Sequence, residues 1–349
     1  MKKLEVGILG ATGMVGQRFV SLLEGHPWFH LAWLAASDRS AGKSYSEACS
    51  WRLRDPMPES ARHLPVHECK PGGAPLLLFS SLDSKVAGEV EREFAAAGHA
   101  VISNSSNFRM QADVPLLIPE VNPDHLALVR AQRQRRGWKG MIVTNPNCTT
   151  VGLAMSLAPL DRAFGLEKVL MTSMQAVSGA GYPGVPTLDI LGNVIPYIAK
   201  EEEKVEAETH KLLGKLVDGH VQPGSFVVSA HCNRVLVEDG HMESISVTLR
   251  SSPSVDDLIA AWRSFRSVPQ ERGLPFAPQH PIVVRLENDR PQPKFDVNAE
   301  HGMATVVGRL RPCNVLQFKY TALSHNTIRG AAGAALLNAE LMRSEGYLD

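Results

Sequence analysis

The chain has little cysteine and no paired cysteine motif. Five cysteines, an odd number, are scattered over 349 residues without any CxxC spacing. A disulfide framework is therefore not expected, and a reducing compartment, the cytoplasm, fits best. His67 and Cys69 are close in sequence, but no partner pair with metal-ligand spacing accompanies them, so we predict no bound metal.

Net charge and long apolar runs are absent as well. Lys plus Arg and Asp plus Glu both number 36, so the formal charge is zero. This balance argues against nucleic acid or a membrane surface as a partner, and the basic run at residues 130–140 is better explained as a solvated helix end. No window approaches the roughly 18 apolar residues of a membrane span. Glycines interrupt the N-terminal apolar run, which argues against a signal peptide.

Strand-like and helix-like segments alternate in the first part of the chain. An apolar run at residues 4–9 precedes a glycine turn and a helical spacing of apolar residues that reaches Leu23. This alternation predicts an α/β fold with a doubly wound parallel (Rossmann) sheet, which binds ligands at the carboxyl ends of its strands. Further strands are predicted at residues 29–37, 74–81, 99–105 and 141–148.

The pattern changes after Cys148. Residues 201–216 have helical character, and residues 224–250 read as two strands around a Glu-Asp-Gly turn. Long strands joined by hairpins indicate an antiparallel or mixed sheet, hence a second domain of α+β type. Residues 325–342 predict a helix of small residues that packs closely on another element.

Three glycines lie between the first predicted strand and helix, as a dinucleotide-binding turn requires. Gly10, Gly13 and Gly16 permit a tight turn and a close approach of backbone N–H groups to a pyrophosphate at the helix N-terminus. The spacing is GxxGxxG rather than GxGxxG. A glycine-rich turn in an α/β domain without a cofactor is the alternative.

The end of the second strand bears on which dinucleotide is bound. Ser37, Arg39, Ser40 and Lys43 suit the 2′-phosphate of NADP, whereas Asp38 is the kind of residue that holds the ribose hydroxyl of NAD. We predict NADP as the cofactor. An ordinary solvated turn is the alternative.

The segment Thr-Asn-Pro-Asn-Cys-Thr-Thr, residues 144–150, places Cys148 between a strand and a buried helix. A thiol at a helix N-terminus feels the positive end of the dipole, so we expect a pKa lowered from about 8.5 toward about 3.5–7.5. A thiolate beside a nicotinamide site indicates attack on an acyl group, followed by hydride reduction of the thioester. A buried structural cysteine is the alternative.

Six segments carry a family resemblance. They are GILGATGMVGQRF, NPNCTT, MQAVSGAGYPGVPTLDILGNVIPYI, EEEKVEAET, HCNRVLVEDGH and HNTIRGAAGA. In this order, from residue 4 to about residue 345, the chain resembles the aspartate-semialdehyde dehydrogenases of the archaeal and fungal subgroup. The resemblance implies that a cysteine attacks L-aspartyl 4-phosphate, phosphate leaves, and NADPH reduces the thioester to aspartate 4-semialdehyde, early in lysine, threonine and methionine biosynthesis.

The resemblance also implies roles for individual residues. Cys148 matches the nucleophile, and His241 matches an acid–base histidine suited to proton transfer near neutral pH. Arg234 matches the arginine that grips the substrate carboxylate through its bidentate fork. The other matched site residues are Gln175 and Asn147 near the cysteine, Glu201 and Lys204 at the amino group and phosphate, and Arg109 at the phosphate.

The predicted cofactor site extends beyond the three glycines to both parts of the chain. We predict a cofactor domain at 1–147, completed by the C-terminal helix at 326–349, and a catalytic and dimerisation domain at 148–325. By resemblance the protein is a homodimer or homotetramer whose site is completed near a subunit interface. The predicted cofactor contacts are Gly10, Thr12, Gly13, Met14, Val15, Ser37, Arg39, Ser40, Ser178, Gly179 and Asn326.

Residue spacing supports these roles unevenly. If Asp239 and Gly240 form a two-residue hairpin loop, Arg234 and His241 share a face of one ribbon but lie about 13 Å apart, at roughly 3.3 Å per residue. Their convergence is therefore implied by the resemblance alone. His241 as a turn residue and Arg234 as a solvated strand residue are alternatives, as is an exposed helix pair for Glu201 and Lys204.

Other reactions of a thiol and a nicotinamide cofactor also fit parts of the pattern. Archaeal malonyl-CoA reductase, which this subgroup resembles, applies them to a CoA thioester, but the phosphate ligands Arg109 and Lys204 are present here. The Gly-Cys-Tyr-Pro context of N-acetyl-glutamyl-phosphate reductase and the Ser-Cys-Thr-Thr-Asn context of glyceraldehyde-phosphate dehydrogenase are absent. A non-catalytic NADP-binding or redox-sensing protein is an alternative of a different class.

Overall fold

The structure is a computed structural model that describes residues 2–348. Met1 and Asp349, the outer limits of the predicted cofactor domain, lie outside the described residues. Two six-stranded sheets and one small two-stranded sheet are present in the described part of the chain. None of the helices in this range is both long enough and apolar enough to cross a membrane.

The first sheet is wholly parallel, in the order β3-β2-β1-β4-β5-β6, which confirms the predicted doubly wound α/β architecture. Several strands are buried along most of their length, as expected for a sheet with helices on both faces. Its strands are β1 (Leu4–Leu9), β2 (Phe29–Ala36), β3 (Val66–Glu68), β4 (Leu77–Ser80), β5 (Ala100–Ser103) and β6 (Met141–Thr144).

The helices of this first part connect its parallel strands. The longest begins with the Asp83 carboxylate accepting the N–H of Lys85 and ends at Gly98, whose left-handed conformation suits a glycine. The helices are α1 (Met14–Leu23), α2 (Tyr45–Ala48), α3 (Glu59–Arg62), α4 (Ser84–Ala97) and α5 (Leu128–Arg136), with a 3-10 helix at Pro123–Ala127.

The second sheet is mixed, in the order β10-β7-β11-β14-β13-β12, as the sequence predicted for the second part of the chain. Its strands are β7 (Leu166–Gln175), β10 (Val227–Arg234), β11 (His241–Leu249), β12 (Ile282–Arg285), β13 (Thr305–Pro312) and β14 (Phe318–Ser324), and a separate hairpin pairs β8 (Lys215–Val217) with β9 (His220–Gln222). The helices are α6 (Cys148–Phe164), α7 (Thr187–Ile190), α8 (Glu201–Leu212), α9 (Val255–Ser264), α10 (Val268–Glu271), α11 (Pro293–Asp296) and α12 (Gly333–Ser344), with 3-10 helices at Val177–Ala180 and Ala299–Gly302 and a π-helix at Ile328–Ala332.

The predicted hairpin between β10 and β11 is wrong. Strand β7 lies between them, parallel to β10 and antiparallel to β11. Residues 235–240 cross the end of β7 instead of forming a two-residue turn, and the N–H of Val235 donates to the carbonyl of Gln175 at 3.0 Å. Arg234 and Gln175, the last residues of β10 and β7, and His241, the first residue of β11, consequently lie side by side on three adjacent strands.

The C-terminal helix returns to the first sheet. Leu336, Leu337 and Leu341 belong to the same buried apolar cluster as Ile8 and Phe79 of the first sheet. Small residues allow this approach, as predicted. The chain thus leaves the first sheet after β6, builds the second sheet, and comes back to cover the first.

Candidate active site

The turn between β6 and α6 places Cys148, which follows Asn-Pro-Asn, at the start of a helix. Strand β6 ends at Thr144, four residues earlier than Cys148, and α6 begins at Cys148 itself. Asn147 is the N-cap, and its Oδ1 accepts the N–H groups of Thr149 at 2.9 Å and Thr150 at 3.2 Å. An asparagine cap satisfies donors that the first helical turn leaves free, so the cysteine is held at the helix start.

A second element packs directly on the cysteine. A Cβ added to Gly330 would lie 2.8 Å from Cys148 Cβ and 3.0 Å from Cys148 Cα, so only glycine fits there. Asn145 strengthens the same junction, because its Nδ2 donates to the carbonyl of Ala331 at 2.9 Å and its Oδ1 accepts from Asn338 at 2.5 Å. The π-helix and α12 therefore support the nucleophile turn from behind.

Cys148 faces His241. The distance from Cys148 Sγ to His241 Nε2 is 3.2 Å. Burial and the charge of Glu201 raise the pKa of the Cys148 thiol to about 12, although Arg109, Arg234 and the N–H of Thr149 act in the opposite direction. The prediction of a lowered thiol pKa is therefore wrong for the protein without substrate, since the effect of burial on the pKa outweighs the opposing effects of the two arginines and the N–H of Thr149.

The backbone sets the protonation pattern of His241. Its Nδ1 accepts the N–H of Ala176 at 3.1 Å, so the neutral ring carries its proton on Nε2, the nitrogen nearest to Cys148. Burial, together with Arg234 and His325, lowers the pKa of His241 to about 3. The resting imidazole is thus neutral, and its role as an acid–base group stays a prediction.

Arg234 and Gln175 complete the row at the strand ends. Arg234 Nη1 donates to the carbonyl of Ala176 at 2.7 Å, and Gln175 Nε2 donates to Ser173 Oγ at 3.2 Å. A Cβ added to Gly179 would lie 2.9 Å from both Arg234 Nη1 and His241 Cε1. These two side chains therefore converge beneath Gly179, which spacing along a single ribbon did not predict.

Helix α8 brings two predicted residues to the nucleophile turn. Glu201 Oε1 accepts from Asn147 Nδ2 at 2.9 Å, and Lys204 Nζ lies 3.7 Å from Glu201 Oε2. Glu201 is 6% exposed, so the pair is not the fully solvated helix pair that spacing alone allowed. Both the nitrogen and the oxygen of the Asn147 side-chain amide are therefore hydrogen-bonded within the protein.

Arg109 reaches the same region from the loop after β5. It is 7% exposed, and its Nη1 donates to Glu208 Oε1 at 3.0 Å. Its Nη2 donates to the carbonyl of Asn104 at 2.6 Å, while its buried Nε has no hydrogen-bond partner. The guanidinium is therefore held on two sides and keeps a free donor.

The glycine turn has the geometry that a dinucleotide requires. Gly10 has φ +79°, and a Cβ on it would lie 2.9 Å from the carbonyl oxygen of Ser81. A Cβ on Gly16 would collide with the carbonyl oxygen of Gly10. Gly13 is the N-cap of α1 without a side chain over the helix end, so the first N–H groups of α1 remain open to a phosphate.

A cleft of 1180 Å³ opens between α1 and the second sheet. Met14 of the glycine turn and Ser178 of the second part of the chain both line it. Asn326 connects this wall to the catalytic row, because its Nδ2 donates to Ser178 Oγ at 2.8 Å and its Oδ1 accepts the N–H of Gly240 at 2.8 Å. One predicted cofactor residue from each part of the chain, Met14 and Ser178, therefore lines the same cleft.

The residues proposed for the 2′-phosphate lie at the predicted strand end. Strand β2 ends at Ala36, and Ser37, Asp38 and Arg39 that follow are exposed. Ser40 is half-buried. The turn can therefore offer a cation and hydroxyl groups to a bound nucleotide.

Sequence reasoning missed three residues that support the site: Glu208, Lys211 and Gly330. Glu208 Oε2 accepts the backbone N–H of Asn147 at 2.6 Å, beside the nucleophile. Glu208 lies seven residues after Glu201, hence on the same helix face, and this spacing was a usable signal. Gly330 had only the small-residue pattern of its helix as a signal.

The fold and the site define a class of protein. A Rossmann-type domain is joined to a domain that presents a cysteine against a histidine, which is the arrangement of a cysteine-dependent dehydrogenase linked to a dinucleotide. Family models match both parts, "Semialdehyde dehydrogenase, NAD binding domain" at residues 5–129 and "Semialdehyde dehydrogenase, dimerisation domain" at residues 157–329.

Named relatives extend this likeness over nearly the whole chain. An aspartate-semialdehyde dehydrogenase of Methanothermobacter thermautotrophicus is 51% identical, over 97% of this chain and 99% of the relative. One of Saccharomyces cerevisiae is 46% identical over 98% of each chain. The crystal structure of the Candida albicans enzyme with NADP superposes with a TM-score of 0.92 at 42% identity, covering 99% of each chain. The chain belongs to the aspartate-semialdehyde dehydrogenase family.

Proposed function

We propose that the protein reduces L-aspartyl 4-phosphate to L-aspartate 4-semialdehyde with NADPH, through a thioester on Cys148. The observation that carries this proposal is the 3.2 Å approach of Cys148 Sγ to His241 Nε2, in the row of strand ends that Asn326 links to the cofactor cleft. The relatives support an acyl phosphate as the substrate rather than the CoA thioester of the alternative.

The residues proposed for the cofactor fit an NADP molecule. The open N-terminus of α1 suits the pyrophosphate, with Gly10, Thr12, Gly13, Met14 and Val15 around it. Ser178, Gly179 and Asn326 are proposed for the nicotinamide end, and Ser37, Arg39 and Ser40 for the 2′-phosphate. When bound, NADPH supplies the hydride that reduces the acyl carbon.

Cys148 and His241 perform the acyl transfer in this proposal. Sγ attacks the acyl carbon, the bond from that carbon to the phosphate oxygen breaks, and phosphate leaves with the electron pair. The thiol proton passes to His241 only in the substrate complex, because the anionic substrate favours an imidazolium there. Nε2 can accept that proton only after the proton it carries at rest has moved to Nδ1, and this move breaks the hydrogen bond from Ala176.

The charged side chains of the site are proposed to bind different groups of the substrate. Arg234 is proposed to bind the substrate carboxylate. Only its Nη1 takes part in the bond to the carbonyl of Ala176, so Nη2 and Nε can donate to a carboxylate. Arg109 and Lys204 are proposed for the phosphate, and Glu201 for the amino group. Gln175 and Asn147 are proposed to line the acyl position beside Cys148.

The decisive test runs the reaction backwards. L-Aspartate 4-semialdehyde should reduce NADP only when inorganic phosphate is present, because phosphate is the second substrate in that direction. NAD and phosphate-free reactions are the controls, with Cys148→Ala as the inactive reference. Turnover without phosphate contradicts the acyl-phosphate chemistry, and unchanged turnover in Cys148→Ala contradicts the nucleophile.

The domain limits stay a prediction. We divide the chain into 1–147 together with 326–349, and 148–325. The packing of α12 against the first sheet supports this division, as does the apolar cluster that α6 shares with the second sheet.

The protein carries its family's dimerisation domain. We propose a homodimer or homotetramer in the cytoplasm, and light scattering of the purified protein decides the number of subunits. Large apolar side chains that are exposed in one chain support a partner contact in this domain, namely Leu170, Tyr182, Leu188, Leu191, Val194 and Tyr197.

A further inference from the structure

Helix α8 carries two ion-forming pairs with different targets. Glu201 and Lys204 lie at its start, against the nucleophile turn. Glu208 and Lys211 follow two turns later and contact the loop that carries Arg109.

Glu208 joins two parts of the site through one carboxylate. Its Oε1 accepts from Arg109 Nη1 at 3.0 Å, and its Oε2 accepts the N–H of Asn147 at 2.6 Å. The side chain is 1% exposed, so both bonds are shielded from water. The position of Arg109 is thereby tied to the residue directly before the nucleophile.

Lys211 binds the backbone of the loop that carries Arg109. Its ammonium donates to three carbonyl oxygens, of Arg109 at 2.6 Å, Gln111 at 2.8 Å and Val114 at 2.8 Å. These three bonds use every donor that a lysine has. Lys211 therefore has no proton left for a ligand and acts on the loop alone.

Arg109 retains capacity for an anion after these contacts. Glu208 and the carbonyl of Asn104 occupy one nitrogen each, and the buried Nε has no partner. A guanidinium offers five N–H donors in a fixed plane, which matches a phosphoryl group. The direction in which that plane points is decided by the carboxylate and the loop.

We propose that Glu208 and Lys211 are positioning residues that aim Arg109 at the phosphoryl group. Glu208 also sets the distance of Arg109 from Cys148. This inference rests on the proposed function and deepens it. Through these two residues, α8 selects a substrate whose leaving group is a phosphate. Neither residue touches the substrate.

The two residues predict different kinetic effects. Lys211→Met releases the loop but keeps the contact to Asn147, so the KM for phosphate should rise about tenfold, with kcat nearly unchanged. Glu208→Gln weakens both contacts, so the KM for phosphate should rise and kcat should also fall by about tenfold. Lys211→Gln keeps two donors and should lie between the wild type and Lys211→Met.

Matched controls come from the same region. Glu203→Gln changes an exposed glutamate of α8, and Lys215→Met changes an exposed lysine of β8. Both should keep the KM for phosphate of the wild type. Circular dichroism, and NADP binding by fluorescence, establish that each variant is folded; the two Lys211 variants carry the test if Glu208→Gln does not fold.

A second readout does not depend on turnover. Phosphate bound at Arg109 should protect Cys148 against iodoacetamide in the wild type, and protection should need about tenfold more phosphate in Lys211→Met. Loss of protection in Lys211→Met and Glu208→Gln, in an enzyme that lacks phosphate-dependent turnover, supports the positioning role and rejects the proposed function. Wild-type turnover, with an unchanged KM for phosphate and unchanged protection in Lys211→Met and Glu208→Gln, overturns the positioning role alone.

Discussion

Cys148 Sγ lies 3.2 Å from His241 Nε2, although 93 residues separate the two in the chain. The cysteine starts a helix and the histidine starts a strand, so each side chain is held by the end of a regular element. Their surroundings favour the neutral form of both groups.

Alkylation of Cys148 in the free enzyme should accelerate with pH through the neutral range and beyond it. A thiol whose pKa is about 12 is protonated at neutral pH, so the thiolate fraction keeps growing as the pH rises. A dipole-activated thiol would instead reach a plateau above a pKa of about 3.5–7.5. Iodoacetamide labelling followed by peptide mass spectrometry measures the rate for each cysteine.

Cys313 provides an internal reference for that experiment. Backbone N–H groups of Leu316 and Val315 lower the pKa of this half-buried thiol. Cys313 should therefore be labelled before Cys148 at neutral pH in the absence of substrate. Faster labelling of Cys148, with a plateau, contradicts the resting state described here.

Gly330→Ala should abolish most activity without preventing cofactor binding. Its new Cβ would lie 2.8 Å from Cys148 Cβ, closer than two carbons pack, so the nucleophile has to move. A displacement of about 1 Å can cost about a hundredfold in rate. Turnover and NADP affinity are measured together.

Gly179→Ala changes a second glycine of the site, and Ala180→Gly is its control. The added methyl group of Gly179→Ala would lie 2.9 Å from Arg234 and from His241, so activity should fall. Ala180 is exposed, and its change to glycine should leave turnover close to that of the wild type. Equal activity of both variants contradicts the close approach at Gly179.

Arg329→Met should destabilise the protein strongly. Arg329 pairs with Glu120 through two bonds of 2.8 Å, and both side chains are fully buried. Removing the arginine leaves a buried carboxylate without its partner, which costs about 3–5 kcal/mol in the free energy of unfolding. Urea denaturation measures the change.

The matched control for Arg329→Met is an exposed ion pair. Arg62 lies 2.9 Å from Glu59, and both side chains are well exposed. Arg62→Met should therefore change the free energy of unfolding by about 0–1 kcal/mol. A similar loss in both variants contradicts the role of burial.

Arg39→Ala should reduce the preference for NADP. Arg39 is exposed directly after β2, where we propose that it binds the 2′-phosphate, so the KM for NADP should rise about tenfold while the KM for NAD changes little. Asp38→Asn, at the neighbouring exposed position, should improve NADP binding or leave it unchanged. Equal effects of Arg39→Ala on both cofactors contradict the assignment of the 2′-phosphate site.

Local patterns of the chain determined its element types. Alternating strands and helices predicted the parallel sheet, and the spacing of Gly10, Gly13 and Gly16 predicted its nucleotide turn. Asn147 and Cys148 at a helix start were also predictable, since capping depends on neighbours a few residues apart. The small-residue pattern of the last helix indicated its close packing, now seen between Gly330 and Cys148.

Tertiary structure decided what the sequence by itself left open, because strand order and burial depend on contacts between distant residues. Strand β7 inserts between β10 and β11, and this alone brings Arg234 and His241 together beneath Gly179. Exclusion of water, which no local pattern reports, keeps Cys148 and His241 neutral at rest. The bond between Arg109 and Glu208 spans 99 residues and joins the loop after β5 to α8.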